Sequence, residues 1–346
     1  MLHYHRPVRR GKSGFVEICS GHGVMRFGVA VPTWGPFADL GALADFLSVV
    51  DELGYEGAWF ADHVAIPTYA TDRFDPPMLE PLVLAGWALA THERLRIGTD
   101  VLVAPYRHPL LVAAMAGSLQ RLSAGRLMLG VGIGYLRGEF DALGIPSRLR
   151  APMTDEALGA LRTVWSGRGP HAFSGDAFEF HDVLPVAVPP EPVPILVGGN
   201  NSNARARAAR LGDGWHPLYP TPDEYAAGRT DIDRLRSEDR ITRPFLFSYS
   251  ASACLVTERP IEGGGTGHPA DDLRPEYRYA PALPTERSGR YLLCGSPDQI
   301  ANDLARYRQA GVEHMVLRVW NSASRFGVEG AMDQLRKWTE LTGGRR

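Results

Sequence analysis

Residues 95–135, LRIGTDVLVAPYRHPLLVAAMAGSLQRLSAGRLMLGVGIGY, constrain the fold of this chain more than any other stretch. An apolar run over 95–102 reads as a strand, and a loop opening at Pro105 follows it. Leu111, Met115, Ser118, Leu119 and Leu122 then recur at helical spacing, and 127–131 is a second strand-like run. Two strands joined by a crossover helix in so short a compass lie parallel, because the helix returns the chain to the end where it started. The stretch is therefore a βαβ unit, and the glycine-rich turn leaving its second strand is the place to look for chemistry.

That turn excludes one assignment. A dinucleotide fingerprint needs G-x-G-x-x-G, but after Gly130 and Gly132 the third glycine is replaced by Tyr135. What remains is a corner of small residues that tolerates unusual dihedrals and brings backbone N–H groups close to a ligand. Taken alone, it reads equally well as a tight turn.

The same alternation runs along the chain. Strands are predicted over 26–32, 57–62, 95–102, 127–131, 195–198, 214–216, within 245–256 and over 314–319. Leu43, Phe46, Leu47, Val50 and Leu53 form a helical stripe that Gly54 ends, and a second helix is predicted over 79–90. Pro109 suits a first helical position, and Thr154 opens a helix carrying Leu158, Leu161 and Trp165. Ser202 is placed to cap a helix that Gly212 closes, and Asp223 starts another. Ser296, Pro297 and Gln299 make a capping box ahead of Ile300, Leu304 and Tyr307, and a last helix is predicted over 329–342.

Eight strands, each followed by a helix, with no internal repeat and no separating linker, are what a (β/α)8 TIM barrel with insertions requires. An open doubly wound sheet would call for a dinucleotide motif at a switch point, and the chain has none. Residues 25–346 are read as one barrel domain and 1–24, polar and basic without the apolar core of a signal peptide, as a disordered extension or as upstream sequence ahead of a start at Met25. In a barrel the strand-to-helix loops open on one rim, which carries the site. The loops 130–150, 198–202 and 257–289 belong there, the last as a candidate lid. Residues 166–194 join a helix to a strand, which gives them a structural role at the opposite rim.

Composition removes other classes. A net charge of -2 gives no electrostatic reason to bind nucleic acid or membranes, and no run approaches the ~18 apolar residues of a membrane span. Cys19, Cys254 and Cys294 are too few and too scattered for a disulfide framework or zinc knuckle, which points to a reducing cytoplasm. The expected partner is a small-molecule substrate, and a homodimer is compatible with the sequence.

Two clusters fall on the expected functional rim. Asp62 and His63 end the second strand, where histidine exchanges protons near neutral pH and aspartate fixes its tautomer or binds a polar ligand edge. The alternative is a hydrogen-bonded pair that only closes the barrel top. The corners Gly132–Ile133–Gly134 and Gly198–Gly199–Asn200–Asn201 follow neighbouring strands, and the second runs into a helix N-terminus. Together they form one phosphate pocket. Trp34, Phe37, Tyr106, Arg107 and His108 also fall on this rim, and Arg205, Arg207 and Arg210 lie on the helix after the second corner, where a solvated face explains them equally.

The segments GAWFADHV, RIGTDVLVAPYRHP, RLSAGRLMLGVGIGYLRGEFDALGIP, PILVGGNN and ARLGDGWHP resemble the luciferase-like monooxygenase superfamily, especially its F420-dependent oxidoreductase branch. The resemblance covers residues 25 to about 342 and rests on the set rather than on any one motif. It implies a flavin or deazaflavin at the strand C-termini, with its phosphate at Gly132, Ile133 and Gly134 and at Gly198, Gly199 and Asn200. It also implies a non-prolyl cis peptide at Asp100–Val101, bulging against the back of the ring, and a polar pair, Asp62 and His63, near ring and substrate. One departure stands out: Tyr135 replaces the glutamate proton donor of the superfamily's sugar-phosphate dehydrogenases. Glu139 lies four residues on, but the resemblance does not carry that role to it. The expected function is hydride transfer between coenzyme F420 and a small organic substrate, with His63 transferring the proton. The alternatives are an FMN-dependent monooxygenase and a flavin- or F420-binding protein without turnover.

Overall fold

A computed structural model describes residues 25–71, 74, 76–255 and 293–342. The extension expected over 1–24 and the candidate lid over 257–289 lie outside the described residues. Strands β1 (Arg26–Val31), β2 (Gly57–Phe60) and β3 (Arg96–Thr99) alternate with helices α1 (Leu40–Glu52) and α2 (Pro81–Thr91). A two-residue strand β4 (Leu102–Val103) precedes α3 (Pro109–Leu122), β5 (Leu127–Gly132), a short α4 (Arg137–Ala142) and α5 (Arg150–Trp165). A hairpin of β6 (His171–Ser174) and β7 (Glu179–Val183) leads to β8 (Ile195–Gly198), α6 (Ser202–Leu211), β9 (Gly214–His216) and α7 (Pro222–Glu238). The chain closes with β10 (Leu246–Leu255), β11 (Leu293–Gly295), α8 (Pro297–Gln309), β12 (His314–Arg318) and α9 (Trp320–Thr342).

The register runs around a closed ring of eight parallel strands. Val29 pairs with Ala58, Trp59 with Gly98, Gly98 with Met128, Val131 with Val197 and Val197 with Trp215. Trp215 then pairs with Phe247, Tyr249 with Met315, and Met315 with Phe27, back on the first strand. This is the (β/α)8 barrel that the alternation demanded. Side chains alternate across each strand, so one set fills the barrel and the other meets the helices. Trp59 dominates the interior with Ala30, Met128, Leu196, Leu246 and Val316, and a side chain at Gly98 would run into its indole. Outside, Leu43, Phe46, Leu47 and Val50 of α1 join the main core.

Several boundaries differ from expectation for identifiable reasons. The third strand stops at Thr99, where Asp100–Val101 is a cis peptide bond, and resumes as β4. The fifth helix begins at Arg150 rather than Thr154, and the connection before it contains α4. Asn201, not Ser202, caps α6 by accepting from Ala204 N–H at 2.9 Å. Thr221 and Glu224 form a capping box, so α7 starts at Pro222 rather than Asp223. The last helix extends back to Trp320 through a break at Gly327. Residues 166–194 contain a hairpin that no alternating pattern announced; its turn is held by Glu156 of α5, which accepts the N–H groups of Asp176, Ala177 and Phe178.

The stripe read on α3 is reversed. The face of α3 that meets the core is Val112, Ala113, Ala116, Gly117 and Gln120, whereas Leu111, Met115 and Leu122 are exposed and Leu119 is partly buried. Small residues face inward because the neighbouring backbone approaches closely: a Cβ at Gly117 would collide with the Ala187 carbonyl.

Candidate active site

The C-terminal ends of β2, β4, β5 and β8 converge on one rim, as a closed parallel barrel requires. Just past β2, the buried carboxylate of Asp62 accepts both Arg107 guanidinium branches, at 2.6 and 2.8 Å, and the Val103 N–H at 2.8 Å. Arg107 also donates to Glu80 at 2.7 Å. Asp62 thus ties β2 to β4 and to the loop before α3, and its oxygens are engaged by the protein itself.

His63 faces a different partner. Its Nδ1–H donates to Glu139 Oε2 at 2.9 Å, and the ring packs on Phe74 with centroids 4.2 Å apart and on the edge of Tyr135 at 6.1 Å. Glu139 comes from α4 and is almost fully buried. Its Oε1 accepts the N–H groups of Val64 (2.8 Å) and Ala65 (3.2 Å), and its Oε2 also accepts the Tyr106 hydroxyl at 3.1 Å. Burial pushes the Glu139 carboxyl up, but the His63 hydrogen bond, the charge beside it and the two backbone donors outweigh this and hold it below the usual carboxylate range. Burial, with Glu139 next to it, pushes the Tyr106 hydroxyl well above the ordinary phenol range. An ionised Glu139 fixes the proton of His63 on Nδ1. Among the described residues Nε2 then has no hydrogen bond and can exchange a proton at the rim.

Sequence reasoning put Asp62 in the orienting role that Glu139 occupies here. The pairing spans 76 residues. Its sequence trace is an acidic residue in the loop that follows a glycine corner of the functional rim.

The two glycine corners are adjacent. β5 and β8 are hydrogen-bonded neighbours, with Val131 opposite Val197. Gly134 and Gly199 have φ of +76° and +109°, a region open to glycine and strained for other residues. Among the described residues the N–H groups of Ile133, Gly134, Gly199 and Asn200 have no acceptor, and the N-terminus of α6 lies directly beyond. The Asn200 side chain is engaged with Leu218, donating to its carbonyl at 2.6 Å and accepting its N–H at 3.1 Å. Asn201 is the helix cap, so these two residues present backbone rather than side chain to a ligand.

The Asp100–Val101 bulge sits between the corners. A Cβ placed on Gly130, Gly132 or Gly198 would come within 3.4 Å of a Val101 methyl. Asp100 is buried below, accepting from Arg318 at 2.7 Å, Ser250 at 3.0 Å and His216 Nε2 at 3.2 Å. Burial pushes its carboxyl up, but Arg318 and His216 overcome this and hold it far below the usual range.

Arg205 is tied to Asp231 and to the Asn200 carbonyl, Arg207 is buried against Asp155, and Arg210 pairs with Asp239 at the surface. Trp34 packs edge-on against Phe74, and Phe37 is buried against Phe46. Among the described residues no group of three or more His, Cys, Asp or Glu could hold a metal ion, and no helix is long and apolar enough to cross a membrane.

Comparison with known proteins bears on the whole of this arrangement. The model of the luciferase-like monooxygenase family matches residues 25–262, which include both corners, the bulge and the His63 site. The chain belongs to the luciferase-like monooxygenase family. It is 28% identical over 322 residues to an F420-dependent glucose-6-phosphate dehydrogenase of Kineococcus radiotolerans, covering 85% of this chain and 91% of the relative. In structure this luciferase-like chain is similar to an F420-dependent secondary alcohol dehydrogenase solved with an F420-acetone adduct (TM-score 0.71, 16% identity, 90% of this chain and 98% of the other). It is also similar to the oxygenating constituent of 3,6-diketocamphane monooxygenase of Pseudomonas putida in complex with FMN (TM-score 0.67, 16% identity, 90% and 97%). Family membership places the chain among the oxidoreductases.

Proposed function

We propose that this luciferase-like protein is an F420-dependent oxidoreductase that transfers hydride between the deazaflavin and a small organic substrate. One observation carries the reading: the His63–Glu139 pair and two adjacent N–H-rich corners open on the same rim, with the Asp100–Val101 bulge between the corners. The residues fit such a cofactor. Ile133, Gly134, Gly199 and Asn200 offer backbone donors to a phosphate, assisted by the α6 dipole. Val101 presents a small apolar surface to the back of a flat ring.

The bound cofactor supplies the redox chemistry. The protein sets distance and face, and it handles the proton. His63, with Nδ1–H anchored by Glu139, takes a proton from a substrate hydroxyl at Nε2, or returns one to the developing alkoxide in the reverse direction. Asp62 acts as a positioning residue, holding Arg107 and β4 in place beneath the bulge. Tyr135 in place of a glutamate donor argues for a substrate other than a sugar phosphate.

F420 is preferred over FMN because, of the rim arginines Arg137, Arg148 and Arg150, the first two stay exposed on the β5–α5 connection, where an acidic tail beyond the first phosphate would run. Arg150 is half-buried and donates to the Ser147 carbonyl at 2.8 Å. Family relatives of both kinds support either cofactor at the ring itself. The exposed apolar residues Val83, Leu111, Met115 and Leu122 on α2 and α3 support a homodimer joined through that face. A reducing cytoplasm goes with this reading.

Incubation with F420 and a panel of small alcohols, followed by absorbance of the oxidised deazaflavin, tests the proposal. Cofactor consumption with stoichiometric carbonyl product is the expected result. FMN-dependent oxygen consumption with no F420 turnover would favour a monooxygenase, and binding without turnover of either cofactor a non-catalytic binder.

A further inference from the structure

A file of polar side chains crosses the interior of the barrel, past Trp59 and the apolar residues packed around it. From the site downward, Asp100 Oδ1 meets His216 Nε2 at 3.2 Å, His216 Nδ1 meets Ser248 Oγ at 2.8 Å, and Ser248 Oγ meets His314 Nδ1 at 2.9 Å. His314 Nε2 lies 3.7 Å from Glu56 Oε2, in the loop that enters β2 at the opposite rim. Trp59 lies against both rings, at centroid distances of 5.2 Å from His216 and 5.4 Å from His314, and holds them in line. A structural polar cluster has no need to reach from one rim to the other.

A relay along this file requires one placement of its protons. Asp100 is paired with Arg318 and ionised, so His216 must donate to it from Nε2. With its ring proton on Nε2, His216 accepts at Nδ1, and Ser248 is the donor to it. The Ser248 oxygen is left to accept from His314, which therefore carries its proton on Nδ1 and exposes a bare Nε2 toward Glu56. Burial holds His314 neutral by pushing its pKa well down. Burial likewise pushes the Glu56 carboxyl up, against the pull of Arg26 at 3.7 Å and Arg96 at 3.6 Å. Glu56 Oε2 has no hydrogen bond among the described residues, and His314 Nε2 is one of the groups nearest to it. Every donor points the same way.

We propose that Glu56, His314, Ser248 and His216 form a proton relay from the far rim of the barrel to Asp100, beneath the cofactor site. In one passage Glu56 gives its proton to His314 Nε2 and His314 gives its Nδ1 proton to Ser248 Oγ. Ser248 gives its original hydroxyl proton to His216 Nδ1, and His216 gives its Nε2 proton to Asp100. Arg318 favours Asp100 as the anion, so Asp100 hands the proton on to the site above it. One proton has moved, both rings have exchanged tautomers, and Glu56 regains its proton from solvent. The relay serves the side of the ring opposite His63, so the site exchanges protons with water while substrate covers its mouth. It rests on the functional reading above for what it serves, but not for its existence.

Long-range 1H–15N spectra of the 15N-histidine protein without cofactor read each ring's tautomer, with His216→Gln and His314→Gln assigning the two signals. The expected result is Nε2–H at His216 and Nδ1–H at His314. Reversed tautomers or a doubly protonated His216 would overturn the relay whichever cofactor binds. In the F420-loaded enzyme, Ser248→Ala breaks the file and is expected to lower turnover about tenfold, within the range of lost proton-transfer assistance. The solvent deuterium isotope effect should rise and cofactor affinity stay the same, while Ser248→Thr, which keeps the hydroxyl, should restore turnover. Native turnover and isotope effect in Ser248→Ala would overturn the relay. Ordered tautomers in a protein that turns over no F420 would support the relay and overturn the functional reading.

Discussion

Glu139 Oε2 lies 2.9 Å from Nδ1 of His63, joining the α4 excursion of the β5–α5 connection to the end of β2. Because the same carboxylate accepts the backbone of Val64 and Ala65 and the hydroxyl of Tyr106, the pair is held by three further donors. A histidine so fixed has one tautomer, one orientation and, among the described residues, one nitrogen without a hydrogen bond.

His63→Ala should lower turnover by about 100-fold, the lower end of what a positioned general base supplies, with little change in cofactor affinity. Glu139→Gln should keep the ring in place and lose part of that rate, because a neutral amide stabilises a protonated imidazole less than a carboxylate does. Steady-state kinetics with a separate cofactor titration distinguish the two effects. Native turnover in His63→Ala removes it from the chemistry.

The Glu139 carboxyl also makes stability depend on pH. Its folded-state pKa lies below the value of an unfolded glutamate, about 4.3, so its contribution is complete above that pH and is lost as pH falls through the lower folded value. The difference in melting temperature between the native protein and Glu139→Gln should be constant from pH 7 to about 5 and shrink toward pH 3. A gap that widens on acidification would contradict the assigned shift.

Arg107→Ala should be among the most destabilising single changes at this rim. It strips the guanidinium from a buried Asp62, and breaking one side of a buried ion pair costs about 3 to 5 kcal/mol. Chemical denaturation measures the loss. A change under about 1 kcal/mol, typical of exposed pairs, would mean that Asp62 is not held as described.

Gly199→Ala places a methyl on a residue at φ +109° and within 2.8 Å of Ala204 Cβ at the start of α6. The corner must shift, so cofactor affinity should fall by about tenfold or more, the equivalent of losing roughly 1.4 kcal/mol of phosphate contact. Unchanged affinity would place the phosphate elsewhere.

Much of this molecule is written locally. The eight strands and the two corners follow from apolar runs and glycine positions, because a barrel strand is short, nearly continuous in hydrophobicity and closed by small residues. The α3 stripe failed for a physical reason: both faces of that helix are apolar, and close approach to Ala187 gives the inner one to small residues. The β6–β7 hairpin was missed because its strands carry Glu179, His181 and Asp182 at exposed positions and bury little besides Phe180. The His63–Glu139 pair and the file from Asp100 to Glu56 join residues from distant strands, and only the closed ring brings them together.

The central claim is that the rim between β5 and β8 is built for a deazaflavin. Side-by-side calorimetric titration of the native protein with F420 and FMN tests it most directly. The account predicts saturable binding of one F420 per chain, at least about tenfold tighter than FMN, a difference of roughly 1.4 kcal/mol for the acidic tail. Tighter binding of FMN, or no binding of F420, would contradict it.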